Sequence, residues 1–321
     1  MKNPRVIGQR MKSLTMQNTV YFNQAMNHCL SFTRNSRIPR TLRRKIGKHL
    51  KLVSEETFRM NMFGQDYEGQ TGNYIDDRIY IYGMYEPATV QLLRLILKSK
   101  KEAGQHCTYV DIGTNVGMHL TALADIIDTG YGFEPWQPVR EKAKNNLAIN
   151  EIKHINIFDF GLSDKSAELP YQIPKNNNYG MGSFIVDQSN KDVSSITLPI
   201  KVGDFIFKKN NIQPSAIKID VEGYEKKVLV GLKNTITNFK PAIIFEFNEP
   251  TRREFNKKEN MQGLFGKDYF FYGIVRGREN PKLVPFNLQK KYENILAITD
   301  NDLRALISMN KKTKGSLSFK Y

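Results

Sequence analysis

Asp111, Glu134, Asp220 and Glu246 share one local setting: each closes a short apolar run and precedes a turn. Asp111 opens the segment Asp111-Ile112-Gly113-Thr114-Asn115-Val116-Gly117, which reads as a strand, a glycine turn and the start of a helix. Glycine lets the backbone approach a ligand closely and tolerates unusual dihedrals. The spacing is not the G-x-G-x-x-G that binds a pyrophosphate, because residue 115 is Asn and residue 118 is Met. An acid two residues before the first glycine suits a cationic ligand without phosphate. S-adenosylmethionine is such a ligand, with an ammonium, a sulfonium and a carboxylate that backbone N–H groups at a helix start can receive. Glu134 follows roughly twenty residues after the turn, where a carboxylate in nucleotide-binding folds takes hydrogen bonds from ribose hydroxyls.

A second group of charged residues could act on an acceptor. Lys218 and Asp220 lie two apart on a strand and therefore on one face. Glu222 follows, and Glu246 ends the neighbouring strand. A hydroxyl is a poor nucleophile until a base removes its proton or orients its oxygen. Asp220 or Glu222 is the expected base or acceptor-orienting group, with Lys218 tuning the local charge. Alternatively, the clustered carboxylates hold a magnesium ion that lowers the acceptor's pKa. Plainer readings stand beside these: a structural Lys218–Asp220 ion pair, and a Glu222 that only stabilises a helix dipole.

Positioning these residues takes alternating strands and helices. Strands are expected at Thr108–Ile112, Tyr131–Phe133, Ile155–Phe160, Ala216–Ile219, Ala242–Phe247, Tyr269–Val275 and Asn294–Ile298. Helices are expected at Val116–Ile127, Pro138–Asn150 and Tyr224–Phe239, and another opens at Glu86-Pro87. Such alternation implies an α/β fold: a mostly parallel seven-stranded sheet with helices on both faces. Ligands then sit beyond the carboxyl ends of the strands, where the acids are. Upstream, Gly64–Asn73 reads as a loop, and Arg78-Ile79-Tyr80-Ile81-Tyr82 has strand character. The segment Asp164–Pro199 is long for a connection; its Asn176-Asn177-Asn178-Tyr179 suits a lid or an element that binds a polyhydroxylated acceptor.

The chain of 321 residues carries a formal net charge of +16. Its first 51 residues hold 12 Lys and Arg and no acid before Glu55. Such a field attracts anionic partners, such as a phosphorylated substrate or a membrane surface. No common RNA-binding motif accompanies it, so no specific nucleic acid is expected. Cys29 and Cys107 are far apart, which argues against a disulfide framework or zinc site and for a reducing compartment. No window reads as a secretory signal or membrane span. The expected location is the cytoplasm, in solution or peripheral to the membrane. The chain divides into a basic, partly helical segment at 1–74, a catalytic domain at 75–310 and a basic tail at 311–321.

Three blocks resemble the signature segments of FkbM-type methyltransferases: Tyr109-Val110-Asp111-Ile112-Gly113-Thr114-Asn115-Val116-Gly117, Gly132-Phe133-Glu134-Pro135 and Ile217-Lys218-Ile219-Asp220-Val221-Glu222-Gly223-Tyr224-Glu225. Asn146–Asn150, Gly161-Leu162-Ser163-Asp164, Gly182-Ser183, Ile244-Phe245-Glu246 and Tyr85-Glu86-Pro87 add to the likeness, which covers about residues 75–275. Thr114 stands where the family commonly has alanine. The resemblance implies a Rossmann-like class I methyltransferase fold, S-adenosylmethionine as donor, and transfer to a hydroxyl of a sugar, glycan or secondary metabolite. The expected cofactor set is Asp111, Gly113, Thr114, Asn115, Gly117, Glu134, Asp159, Ser163 and Asp220. The rival functions are a ribose methyltransferase acting on nucleic acid and a non-catalytic protein that binds polyanions or membranes.

Overall fold

A computed structural model describes residues 57–173, 182–185, 194–255, 258–276, 281–312 and 317–319. The basic segment up to residue 56, expected to be partly helical, lies outside these residues. So do Asn176–Tyr179 and most of the C-terminal tail.

The described chain begins with a hairpin, β1 (Thr57–Met62) and β2 (Gln65–Gln70), paired antiparallel around Phe63-Gly64. The expected loop at Gly64–Asn73 is therefore mostly strand. Its residues are polar, but Tyr67 is fully buried on one face. Next comes α1 (Tyr74–Tyr82), where a strand was expected from Arg78. Alternating Ile and Tyr favour a strand by propensity, yet the punctuation is helical. Asn73 caps the N-terminus by accepting from the Asp76 amide, Asp76 and Asp77 occupy the first turn, and Gly83 ends the helix with φ of 85°. Ile75 and Ile79 are then buried at helical spacing.

The helix α2 (Pro87–Glu102) carries Pro in its first turn and buries Leu92, Leu93 and Ile96. Then follow β3 (Thr108–Ile112), α3 (Met118–Leu123), β4 (Thr129–Phe133), α4 (Gln137–Ala148) and β5 (Ile155–Phe158). After these come β6 (Gly161–Ser163), β7 (Ala167–Gln172), β8 (Ser195–Val202), α5 (Gly203–Lys209) and β9 (Ala216–Ile219). The expected helix Tyr224–Phe239 is two helices, α6 (Glu225–Gly231) and α7 (Lys233–Phe239), broken at Leu232. The chain continues through β10 (Ala242–Glu246), α8 (Glu249–Glu254), α9 (Lys258–Phe265), β11 (Tyr269–Arg276), β12 (Pro281–Pro285), β13 (Asn294–Thr299), α10 (Asp300–Lys312) and β14 (Ser318–Phe319).

All seven expected strands share one sheet, in the order β14-β12-β11-β13-β10-β9-β3-β4-β5. The hairpin partner β12 and the short β14 extend it to nine strands. The strands β5, β4, β3, β9 and β10 are parallel, whereas β13 and β11 run antiparallel to their neighbours. Side chains alternate across the sheet into two cores. Tyr109 and Ile244 pack with Leu92 and Leu306 on one face; Val110, Ile217 and Phe245 pack with Val228 and Ile236 on the other. Burying each such aliphatic side chain is worth about 1.5–3 kcal/mol. The strand order reverses at β3 and β9: the chain leaves β3 toward β4 and β5 and returns to the far side through β9. A ligand crevice belongs at that switch point. Part of Asp164–Pro199 is not loop but a second sheet, β6-β8-β7, beside the crevice. Among the described residues, no helix is long and apolar enough to cross a membrane.

Candidate active site

A cleft with about 880 Å³ of open space lies over the carboxyl ends of β3, β4 and β9. Gly113, Thr114, Asn115, Glu134, Lys218, Asp220 and Glu222 all line it.

The glycine turn is fixed by close packing. A Cβ on Gly113, whose φ is 81°, would stand 1.8 Å from the Asp220 carbonyl oxygen. Gly117, with φ of 77°, leaves room for Ala143 of α4, which a Cβ would approach to 2.8 Å. Both glycines therefore hold β3, β9 and α4 together as much as they open space for a ligand. The Thr114 hydroxyl donates to the Asp111 carbonyl oxygen at 2.8 Å.

Glu134 is buried at the end of β4 with both oxygens engaged. Oε2 accepts from the Asn115 amide and Oε1 from the Trp136 amide, each at 2.9 Å. Burial pushes its pKa up to about 7, against the pull of those two amides and Arg140. The carboxylate is thus held in one orientation at the cleft wall. Tyr171 of β7 and Phe184 line the same cleft, their rings edge to face with centroids 5.2 Å apart.

The other end is crowded with acids around one buried cation. Lys218 Nζ lies 2.8 Å from Asp220 Oδ2 and 3.7 Å from Glu86 Oε2. Asp220, Glu86 and Asp111 outweigh the effect of burial and push the Lys218 pKa up, so the ammonium stays charged. Asp111 sits opposite Lys218 across the β3–β9 register, fully buried beneath the turn. Burial raises its pKa to about 7. Asp111 does not line the cleft, so its influence on a ligand passes through Lys218 and the field of the site.

Asp220, Glu222 and Glu246 converge, with one oxygen of each within 4.8 Å of the others. Burial and the charge of Asp220 push Glu222 up to about 8 and Glu246 to about 10. Glu246 is partly satisfied by the Asn248 amide group at 2.7 Å and does not line the cleft. A divalent cation could bridge the three by geometry alone, but no relative described below points to magnesium. Asp159 is exposed beyond β5, and Ser163 is buried with its hydroxyl on Asp164 at 3.0 Å. Neither lines the cleft.

Several residues at the site escape a reading of the sequence. Glu86 precedes Pro87 yet adopts φ of 45°, a conformation disfavoured for any residue before proline. Its Oε2 is 3.5 Å from His119 Nε2, and neither atom has a hydrogen-bond partner among the described residues. Burial and the Lys218 charge lower the His119 pKa and keep the ring neutral. Glu225 braces the turn that presents Glu222: Oε1 accepts from the Val221 and Gly223 amides, and Oε2 from Thr251 Oγ1. That brace holds Glu222 at φ of 52° and Gly223 at 98°. The Glu86-Pro87 pair and the Lys218–Glu225 block were visible as motifs. What was not visible is that chain segments far apart in sequence meet at Lys218.

Comparison with known proteins places this architecture. The family model described as Methyltransferase FkbM domain matches residues 111–271, half of the chain. The hexuronic acid methyltransferase AglP of Haloferax volcanii is 25% identical over 157 residues, spanning 48% of this chain and 60% of that protein. The chain thus matches less than two thirds of that relative's length. The crystal structure of an FkbM methyltransferase from Methylobacillus flagellatus KT aligns with a TM-score of 0.40 at 14% identity, over 69% of this chain and 52% of its own. A SAM-dependent methyltransferase from Agrobacterium tumefaciens gives 0.43 at 10% identity, over 77% and 71%. The strand order, not these loose likenesses, defines the fold.

Proposed function

The chain belongs to the methyltransferase FkbM domain family, and from that premise we propose that it moves a methyl group from S-adenosylmethionine to a hydroxyl of a sugar or glycan. The observation that carries this reading is the charge of the cleft. Asp220, Glu222 and Glu134 line it with Lys218 as the only Lys or Arg among its described lining residues, and Glu86 and Asp111 lie behind. Buried carboxylates in excess of cations are costly unless a positive ligand joins them. S-adenosylmethionine brings an ammonium and a sulfonium to such a site, whereas NAD would bring a pyrophosphate.

The residues divide the work. Glu134, fixed by two amides, has lone pairs left for ribose hydroxyls. Tyr171 and Phe184 offer aromatic faces for a purine. The Gly113–Gly117 turn shapes the cleft wall rather than donating to the amino-acid carboxylate, because its five backbone amides already donate within the fold. The bound donor supplies an electrophilic methyl group, so the chain must align the acceptor oxygen and exclude water. Glu222 is the group we assign as base. It lines the cleft, and its raised pKa of about 8 suits it to take a proton late, as the carbon–oxygen bond forms. Asp220, held by Lys218, orients the acceptor.

The name of the Haloferax volcanii relative, a hexuronic acid methyltransferase, supports a sugar acceptor. Transfer of tritium from labelled S-adenosylmethionine to isolated glycan, lipid and RNA fractions tests the reading. Label in glycan is expected; label confined to RNA or lipid contradicts the acceptor class.

A further inference from the structure

One stretch of the molecule leads outward from the reacting end of the cleft. Tyr85 lines the cleft, and burial together with the charges of Glu86 and Asp220 pushes its hydroxyl pKa up. Its ring meets that of Tyr74 edge to face, with centroids 6.4 Å apart and planes at 76°. Tyr74 is 45% exposed, although Ile75 beside it lines the cleft. On α1, Tyr74, Arg78 and Tyr82 fall at i, i+4 and i+8 and so form one stripe. The Arg78 guanidinium carbon lies 4.8 Å from the Tyr74 ring centroid and 5.7 Å from that of Tyr82. Arg78 makes no hydrogen bond or ion pair to any described residue.

We propose that Tyr74 and Tyr85, stiffened by Arg78, form the acceptor platform: a pyranose ring stacks on Tyr74 while its hydroxyl reaches Asp220 and Glu222. This rests on the methyltransferase reading given above and adds where the acceptor lies and what holds it. The chemistry favours a neutral sugar in the cleft. One face of a pyranose is a patch of C–H groups that packs on an aromatic ring, and its hydroxyls suit the forked donors of arginine. An anionic substituent directed inward would meet Asp220, Glu222 and Glu246, whereas one directed outward would meet Arg78. Cation–π stacking holds the guanidinium beside the ring without using its N–H groups. The platform is continuous with the cleft, so one ligand can touch both.

Methyl transfer from tritium-labelled S-adenosylmethionine to the methyl pyranosides of glucose, galactose, mannose and rhamnose tests the platform, with calorimetric titration of each variant by the donor. Wild-type protein is expected to label at least one pyranoside. Tyr74→Ala should lose about tenfold in kcat/KM for it, through KM, with donor affinity unchanged. Tyr74→Phe should keep most of the activity, and Arg78→Ala should lose a smaller factor, about threefold. An unchanged kcat/KM in Tyr74→Ala overturns the platform, as does a loss that follows donor affinity instead of KM. Wild-type protein that binds the donor but labels none of the four sugars also overturns it. Wild-type protein that fails to bind the donor removes the methyltransferase reading itself, and the platform with it.

Discussion

At one end of the cleft, Glu134 has both carboxylate oxygens on backbone amides; at the other, Glu222 and Glu246 crowd Asp220 around a single lysine. The first end is complete before any ligand arrives. Its orientation is set by the turn after β3 and the start of α4, so it can select a sugar edge by geometry. The second end is unbalanced. Glu86 Oε2 and His119 Nε2 lack hydrogen-bond partners among the described residues, and burial, then repulsion from Asp220, raises the pKa values of Glu222 and Glu246. On the proposed reading, the contrast teaches that the fold pre-forms recognition at the nucleoside end and leaves the reacting end to be neutralised by what binds there.

The sharpest way to break that contrast is at the base. Glu222→Gln keeps the shape of the side chain and should lower kcat by about 10²–10⁴-fold, with donor affinity nearly unchanged. In the wild type, activity should rise with pH through about 8, as Glu222 loses its proton. A flat pH–rate profile across that range would assign the proton elsewhere.

Lys218→Met removes the cation on which three carboxylates converge. Breaking such a buried pair typically costs about 3–5 kcal/mol, which denaturant unfolding should register as a lower midpoint. Glu134→Gln is milder. It removes the charged acceptor and sets an NH2 against one of the two backbone amides, so it should weaken donor binding by roughly 10–100-fold and cost about 1–3 kcal/mol of stability. If both substitutions had equal effects on stability, the distinction between a finished end and an unbalanced end would fail.

A smaller effect follows from linkage. Glu222 and Glu246 rise from an ordinary value of 4.5 to about 8 and about 10 in the folded protein. The folded state therefore binds these protons more tightly than the unfolded chain. Their contribution to stability is full below about 4.5 and is lost as pH rises through 8 and 10. Thermal midpoints should fall from about pH 6 to about pH 9, and the fall should shrink in Glu246→Gln. An unchanged slope in that variant would place the coupling elsewhere.

Much of this arrangement was legible in the sequence, for identifiable reasons. Strands buried on both faces read as apolar runs, and Ala242–Phe245 does so without a break, while Tyr109–Ile112 and Ala216–Ile219 are interrupted only by Asp111 and Lys218. The i, i+2 spacing of Lys218 and Asp220 foretold their contact, now 2.8 Å. By contrast, α1 was misread because Ile and Tyr alternate like a strand, while the deciding signals were its caps, Asn73 and Gly83. The β1–β2 hairpin was hidden by polar residues, Tyr67 being the one apolar side chain of β2. Glu86 and His119 could not be placed at the site from spacing, since only the tertiary packing of α2 and α3 against β9 brings them to Lys218.

The central claim is that this cleft holds a cationic sulfonium nucleoside, and calorimetric titration of the purified protein with S-adenosylmethionine tests it most directly. Saturable binding is predicted, tighter as pH rises through about 7, where Asp111 and Glu134 ionise. Release of protons to the buffer should accompany it. Absence of binding, together with uptake of NAD in the same experiment, would contradict the account.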